Sequence, residues 1–210
     1  MRYDEFSNKL SKFSYFKPEH WTSIFGYSRT LKNQIVLWQK KGKVLKLKRG
    51  IYTLSEEERK APLPLLLISN ILCAPSYVSL ESALGFYGLI PERMMQVTAV
   101  TTRKTAVFKN HFGLFHYRSL KQSRFFGFQS VQDEGGVSLL IARPEKAILD
   151  KIYYDPSFRP EEGYFLENLR LQYFGRLSQT RLMTYARHYA SEKVMRGVGV
   201  LQVLIRKEKE

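Results

Sequence analysis

From residue 20 to residue 55 the chain contains no Asp or Glu. The end of that window, KKGKVLKLKRGIYTL from Lys40 to Leu54, interleaves Lys40, Lys41, Lys43, Lys46, Lys48 and Arg49 with Val, Leu, Ile and Tyr. Few structures accept that pattern. Alternation after Gly42 puts Val44, Lys46 and Lys48 on one face of a strand and Leu45, Leu47 and Arg49 on the other. A turn at Arg49-Gly50 lets Ile51 to Leu54 pair back as a second strand. Crowded cations in a hairpin are tolerable when a polyanion lies against them, which points to a nucleic-acid surface. A second acid-free window runs from residue 93 to residue 132, and the formal net charge is +15.

The 210 residues allow one large domain or two small ones, each with its own core. Apolar residues make up 44% and aromatics 14%, which excludes a disordered chain. The single cysteine, Cys73, permits neither an intrachain disulfide nor a thiolate metal cluster, and its apolar neighbours predict a buried thiol. MRYDEFSNKL lacks the apolar stretch of a signal peptide, and the longest apolar run, Leu63 to Leu72, is interrupted by Pro, Ser and Asn. The expectation is a cytoplasmic protein with no membrane partner.

Phe6, Leu10 and Phe13 fall at helical spacing, and Pro18 is suited to open a second helix that Gly26 closes. Ser28 then caps RTLKNQIVLWQKK, whose Leu31, Ile35 and Trp38 share one face. Three short helices followed by a basic hairpin predict a winged helix-turn-helix. Its third helix would enter the major groove of double-stranded DNA with Ser28, Arg29, Thr30, Lys32 and Asn33 near the bases. Lys46, Lys48 and Arg49 of the wing would meet phosphates.

SEEERKAPLP, from Ser55, is acidic, then basic, then broken by proline, so the expected domains are residues 1–58 and 59–210. The larger one reads as mixed α+β with a helical C-terminal tail. Helices are expected at Leu65 to Leu72, after a capping Ser79, at PEKAILDKIYY, at Tyr164 to Phe174, after a capping Ser178, and through Val194, Val198, Leu201 and Ile205. Strands are expected at Val97 to Thr102, Gly113 to Tyr117, Phe126 to Val131 and Val137 to Ala142.

No nucleotide-binding loop, nucleophile elbow or metal-ligand spacing occurs, and none of His20, His111, His116 and His188 stands in a zinc-binding motif. Glu58 and Lys60 form an acid-x-lysine pair, but in the expected linker. Glu145 and Asp150 lie roughly 140° apart around a helix and do not converge on one metal unaided. Neither catalysis nor a cofactor or metal is expected.

Read in order, PSYVSLESALGFYGLIPE, VTTRKT, HFGLFHYRSL, FFGF and ARPEKAILDKIY resemble the AbiEi family, the antitoxins and transcriptional regulators of abortive-infection (type IV) toxin-antitoxin systems. GYSRTLKNQIVLWQKKGKVLKLKRGIYTL is similar to that family's winged-helix start, and the likeness spans about Phe6 to Leu171. The resemblance implies an autorepressor that binds inverted repeats in its operator. It also implies a second domain that counteracts a nucleotidyltransferase-like toxin without necessarily forming a stable complex with it. On that reading the second acid-free window, with Arg93, Arg103, Lys104, Lys109, Arg118, Lys121 and Arg124, is expected to be the antitoxic surface, and RNA is a further candidate partner. The alternative from the residues is a DNA- or RNA-processing enzyme with a winged-helix targeting module.

Overall fold

The computed structural model describes residues 1–91, 96–133 and 135–209. The chain begins with α1 (Tyr3–Leu10), α2 (Pro18–Phe25) and α3 (Arg29–Lys40), followed by an antiparallel hairpin of β1 (Val44–Lys48) and β2 (Ile51–Leu54). Local chemistry sets these boundaries. Pro18 occupies the first turn of α2, Gly26 leaves that helix at φ 76°, and Ser28 Oγ accepts the Leu31 amide at 3.2 Å. Phe6, Leu10, Trp21, Leu31, Ile35 and Trp38 close a small core under the helices.

The hairpin departs from simple alternation. Lys46 opposes Tyr52 but Lys48 opposes Ile51, so a bulge falls at Leu47. Val44 and Leu47 consequently both turn inward, Lys46 stays exposed, and Lys48 is half-buried. Leu47 and Ile51 join the core of the larger sheet rather than that of the three helices. Lys48 Nζ donates to the Leu72 carbonyl at 2.6 Å, and Asn110 Nδ2 donates to the Leu47 carbonyl at 3.1 Å. The segment after the hairpin is also held. Arg59 bonds Thr53 Oγ1, the Leu54 carbonyl and the Ala61 carbonyl, while the amides of Lys60 and Ala61 reach the Ser11 carbonyl.

The remainder is α+β, built on a six-stranded mixed sheet. Its strands are β3 (Ser76–Val78), β4 (Val97–Thr101), β5 (Ala106–Asn110), β6 (Gly113–Ser119), β7 (Phe128–Gln132) and β8 (Ser138–Ala142), in the order β5-β6-β4-β3-β8-β7. The β3/β8 and β4/β6 pairs are parallel, and the rest are antiparallel. Helix α4 (Leu65–Leu72) covers one face, where Tyr117 donates to the Ser69 carbonyl at 2.6 Å. On the other face lie α5 (Leu80–Phe86) and α6 (Pro144–Tyr154), backed by α7 (Gln179–Tyr189) and α8 (Glu192–Lys209). No helix among the described residues is long and apolar enough to cross a membrane.

Three sequence expectations change. Strands β3 and β5 are additional to those expected. The helix expected from Tyr164 to Phe174 is a single wide turn, Tyr164–Asn168, after which Arg170 and Tyr173 take left-handed backbone angles (φ 52° and 51°). Gln172 there donates its amide across to the Leu89 carbonyl at 2.8 Å instead of continuing a helix. Ser79 precedes α5 as expected, but its hydroxyl donates to Asp150 Oδ2 at 2.8 Å rather than capping. The long terminal helix does form despite its glycines. At Gly197 a Cβ would come within 2.8 Å of Ile152 Cδ1, so the missing side chain is what lets α8 press against α6.

Lys146 and Asp150, one turn apart on α6, are both fully buried and form an ion pair. Lys146 also donates to the Tyr77 hydroxyl at 2.9 Å, while Asp150 accepts from Tyr77 (3.0 Å), Ser79 (2.8 Å) and Tyr189 (2.9 Å). Burial lowers the Lys146 pKa against the opposing pull of Asp150, and burial together with Asp150 raises those of Tyr77 and Tyr189. Glu145 faces a different neighbour, and its Oε1 accepts the Ser178 amide at 3.0 Å and Arg181 Nη1 at 3.1 Å. At the end of α6, Asp155 lies well below the usual carboxylate range. Burial opposes its ionisation, but bonds from the Ser157 hydroxyl, Lys151, the Ser157 amide and Tyr164 outweigh it.

Removing one member of the buried pair strands the other charge. Asp150→Leu alone is expected to cost about 3–5 kcal/mol in urea unfolding, and the double variant Lys146→Met/Asp150→Leu less than Asp150→Leu. Asp155 holds its proton less tightly in the folded state than in the unfolded one. Its contribution is therefore present above the ordinary value of 3.8 and is lost as the pH falls below it. Asp155→Asn should lower stability at neutral pH and flatten the acid limb below pH 3.8, read from urea midpoints across pH.

Candidate nucleic-acid interface

The first turns of the three N-terminal helices carry opposite charges. Helix α1 begins with Asp4 and Glu5 and α2 with Glu19, as the positive helix end favours. Helix α3 has no acid in its first turn and places Arg29 and Lys32 there instead. Cations at that end work against the helix unless an anion joins them. The Ser28 cap offsets part of this cost, and Leu31, Ile35 and Trp38 fix the buried side of α3.

Arg29, Thr30, Lys32 and Asn33 are all exposed. Arg29 and Asn33 bond no other side chain among the described residues, while Lys32 rests against Tyr27, with its Nζ 4.7 Å from the ring centroid and 3.4 Å from the hydroxyl. Tyr27 is not among the residues expected from sequence. It is 76% exposed, and an aromatic directly before a helix cap beside a cation was the signal available. In the hairpin, Lys46 and Arg49 are exposed and bond no described residue, whereas Lys48 is fixed to the end of α4 and lies 5.8 Å from the Phe108 ring centroid. Burial lowers the Lys48 pKa, with further contributions from Arg103 and Lys17. Lys48 is therefore part of the joint between hairpin and sheet.

The cations of the second acid-free window differ in their surroundings. Arg93 lies outside the described residues. Arg103 Nε donates to the Ala74 carbonyl at 2.5 Å, two residues beyond the carbonyl that Lys48 uses, and Lys104 is exposed beside it. Lys109 on β5 and Arg118 on β6 are exposed on the sheet face opposite Phe115 and Tyr117, and Lys121 is exposed beyond β6. Arg124 is structural. It donates to the carbonyls of Tyr189 (2.7 Å) and Ala190 (3.0 Å) and to the Tyr153 hydroxyl (2.9 Å), stacks on the Tyr153 and Tyr189 rings, and so caps the end of α7. Cys73 is buried, with its Sγ 3.7 Å from Thr101 Oγ1. Among the described residues no three His, Cys, Asp or Glu side chains are grouped to hold a metal ion.

No protein-family model matches the chain, and no curated protein matches it.

Lys48→Met should behave as a stability variant. It removes a charged hydrogen bond at the joint, and a loss of about 1–2 kcal/mol is expected in thermal or urea unfolding without any ligand present. Lys46→Met, at an exposed position, should change stability by less than about 0.5 kcal/mol in the same assay.

Proposed function

We propose that the chain is a cytoplasmic, sequence-specific DNA-binding autorepressor and the antitoxin of an AbiEi-type toxin-antitoxin pair. The three helices and the hairpin act as a winged helix-turn-helix. Helix α3 enters the major groove, Arg29 and Asn33 read base edges, and Thr30, Lys32 and Tyr27 pack alongside. Lys46 and Arg49 neutralise flanking phosphates. The observation that carries this reading is the reversed charge at the start of α3, where exposed cations replace the acids that open α1 and α2.

The larger domain supplies the antitoxic activity against a nucleotidyltransferase-like toxin, and the exposed cations Arg103, Lys104 and Lys121 contribute its surface. The order of the AbiEi-like segments and the absence of an acid between residues 93 and 132 support this part. The operator would be an inverted repeat, which a DNA-binding protein meets with two copies of itself.

Selection from random duplexes should yield a preferred site. On that site Arg29→Ala and Asn33→Ala should each cost roughly 1–3 kcal/mol, with much smaller losses on random DNA. Arg49→Ala should weaken all duplexes alike and reduce the salt slope by about one phosphate's worth. Equal losses on cognate and random DNA for Arg29→Ala and Asn33→Ala would sink the groove assignment. The triple variant Arg103→Ser/Lys104→Ser/Lys121→Ser should fail to rescue cells expressing the neighbouring toxin. Full rescue at matched protein level would place the antitoxic surface elsewhere.

A further inference from the structure

The helical layer of α5 and α6 does not extend over the outer strands β5 and β6. On that face Val107 is 56% exposed, and Lys109 and Arg118 are exposed with it. Where the cover stops, a cleft of about 180 Å³ opens between His116 and Arg118 of β6 and Lys151, Tyr154 and Asp155 at the end of α6. A second lobe of about 400 Å³ adjoins it, lined by Ile90, Ser157, Tyr164, Asn168 and Leu169. Glu81, Lys151 and Asp155 belong to both lobes and join them. The second lobe by itself falls within the roughly 300–1,000 Å³ of small-molecule pockets, and the first extends it.

Most polar groups of the cleft already have protein partners. Lys151 lies 2.9 Å from Glu81 Oε1 and 3.0 Å from Asp155 Oδ2. Asp155 also accepts from Tyr164 (2.9 Å) and from the Ser157 hydroxyl (2.6 Å) and amide (2.9 Å). The Tyr154 hydroxyl donates to the Ser119 carbonyl at 2.5 Å. Three groups are left over. The Arg118 guanidinium bonds no described residue, His116 Nε2 is shielded from water without a partner, and only one oxygen of Glu81 is engaged. The exposed Arg118 guanidinium and the second Glu81 oxygen are the groups a ligand in the cleft can reach. Leu80, the residue that carries the chain into Glu81, holds a left-handed φ of 56°, a conformation that persists only where its surroundings enforce it.

We infer that this cleft binds a ribonucleoside monophosphate unit, either as a free nucleotide or as the terminal nucleotide of an RNA strand. Arg118 takes the phosphate, since a guanidinium offers paired donors to phosphate oxygens. Glu81 accepts from a ribose hydroxyl, as carboxylates do in nucleotide sites. Ile90, Leu169 and Tyr164 wall the second lobe for the base, with the Asn168 amide facing its polar edge. The inference is independent of the DNA-binding reading, because no residue of α3 or the hairpin takes part.

Calorimetric titration of the full chain with adenosine monophosphate, its 2′-deoxy analogue, adenosine and a short single-stranded RNA bearing a terminal phosphate tests this. The monophosphate should bind, with the deoxy analogue and adenosine each weaker by about tenfold or more. Arg118→Ser should weaken it by a similar factor, and Arg206→Ser, which removes an exposed charge on α8, should not. Tighter binding of the RNA with the same dependence on Arg118 identifies the strand end as the source, and tighter binding of the monophosphate identifies the free nucleotide. Absence of binding by every probe at millimolar concentration overturns the inference. Equal weakening by Arg118→Ser and Arg206→Ser also overturns it, because it would reduce binding to general attraction by a basic protein.

Discussion

The buried ion pair of Lys146 and Asp150 is the constraint on which the larger domain depends. Two charges removed from water are tolerated only when every donor and acceptor is met, and here the partners come from four separate places: Tyr77 on β3, Ser79 at the entry to α5, Tyr189 at the end of α7, and α6 itself. Satisfying one carboxylate therefore fixes where a central strand, two helix ends and the third helix meet. A hydrophobic replacement of similar volume could give equal stability, as buried pairs often show, but it would not demand one geometry. Arg124 continues the same logic outward, stacking on Tyr153 and Tyr189 and binding the last carbonyls of α7.

A second joint couples the N-terminal helices to the sheet. The bulge at Leu47 turns one strand of the hairpin so that Leu47 and Ile51 enter the larger core while Lys48 reaches the end of α4. A cation at a helix C-terminus is favourable, and Arg103 binds the Ala74 carbonyl two residues further on. Joined in this way, the hairpin cannot reorient independently of the sheet without breaking apolar and charged contacts together. Under the DNA-binding reading, α3 and the wing reach a duplex with their relation to the second domain already set.

The charges at the start of α3 run against the electrostatics of the helix itself. Acids in the first turns of α1 and α2 follow the helix dipole, while Arg29 and Lys32 oppose it. Under the DNA-binding reading, the phosphates of the duplex would complete these electrostatics. The cleft beside Arg118 repeats the theme on a smaller scale, with Arg118 and His116 Nε2 left without partners among the described residues next to a saturated network around Asp155.

The sequence alone determined the local elements. Pro18, Gly26 and Ser28 bounded α2 and α3, the spacing of Leu31, Ile35 and Trp38 oriented α3, and the Arg49-Gly50 turn defined the hairpin, because each rests on interactions within a few residues. Mixed α+β character and the exposure of Arg29, Thr30, Lys32 and Asn33 were legible for the same reason. Only the tertiary structure decided which cations were free. Lys48 and Arg124 look like any other basic residue in a charged window, yet carbonyls at the ends of α4 and α7 engage them, and those carbonyls are contributed by segments far away in the chain. The same holds for Ser79, drawn from its capping role by Asp150, and for the cleft, whose walls come from residues 80–90, 96–118 and 151–169. Desolvation and long-range hydrogen bonding have no signature in a local pattern, so they appear only when the sheet brings its strands together.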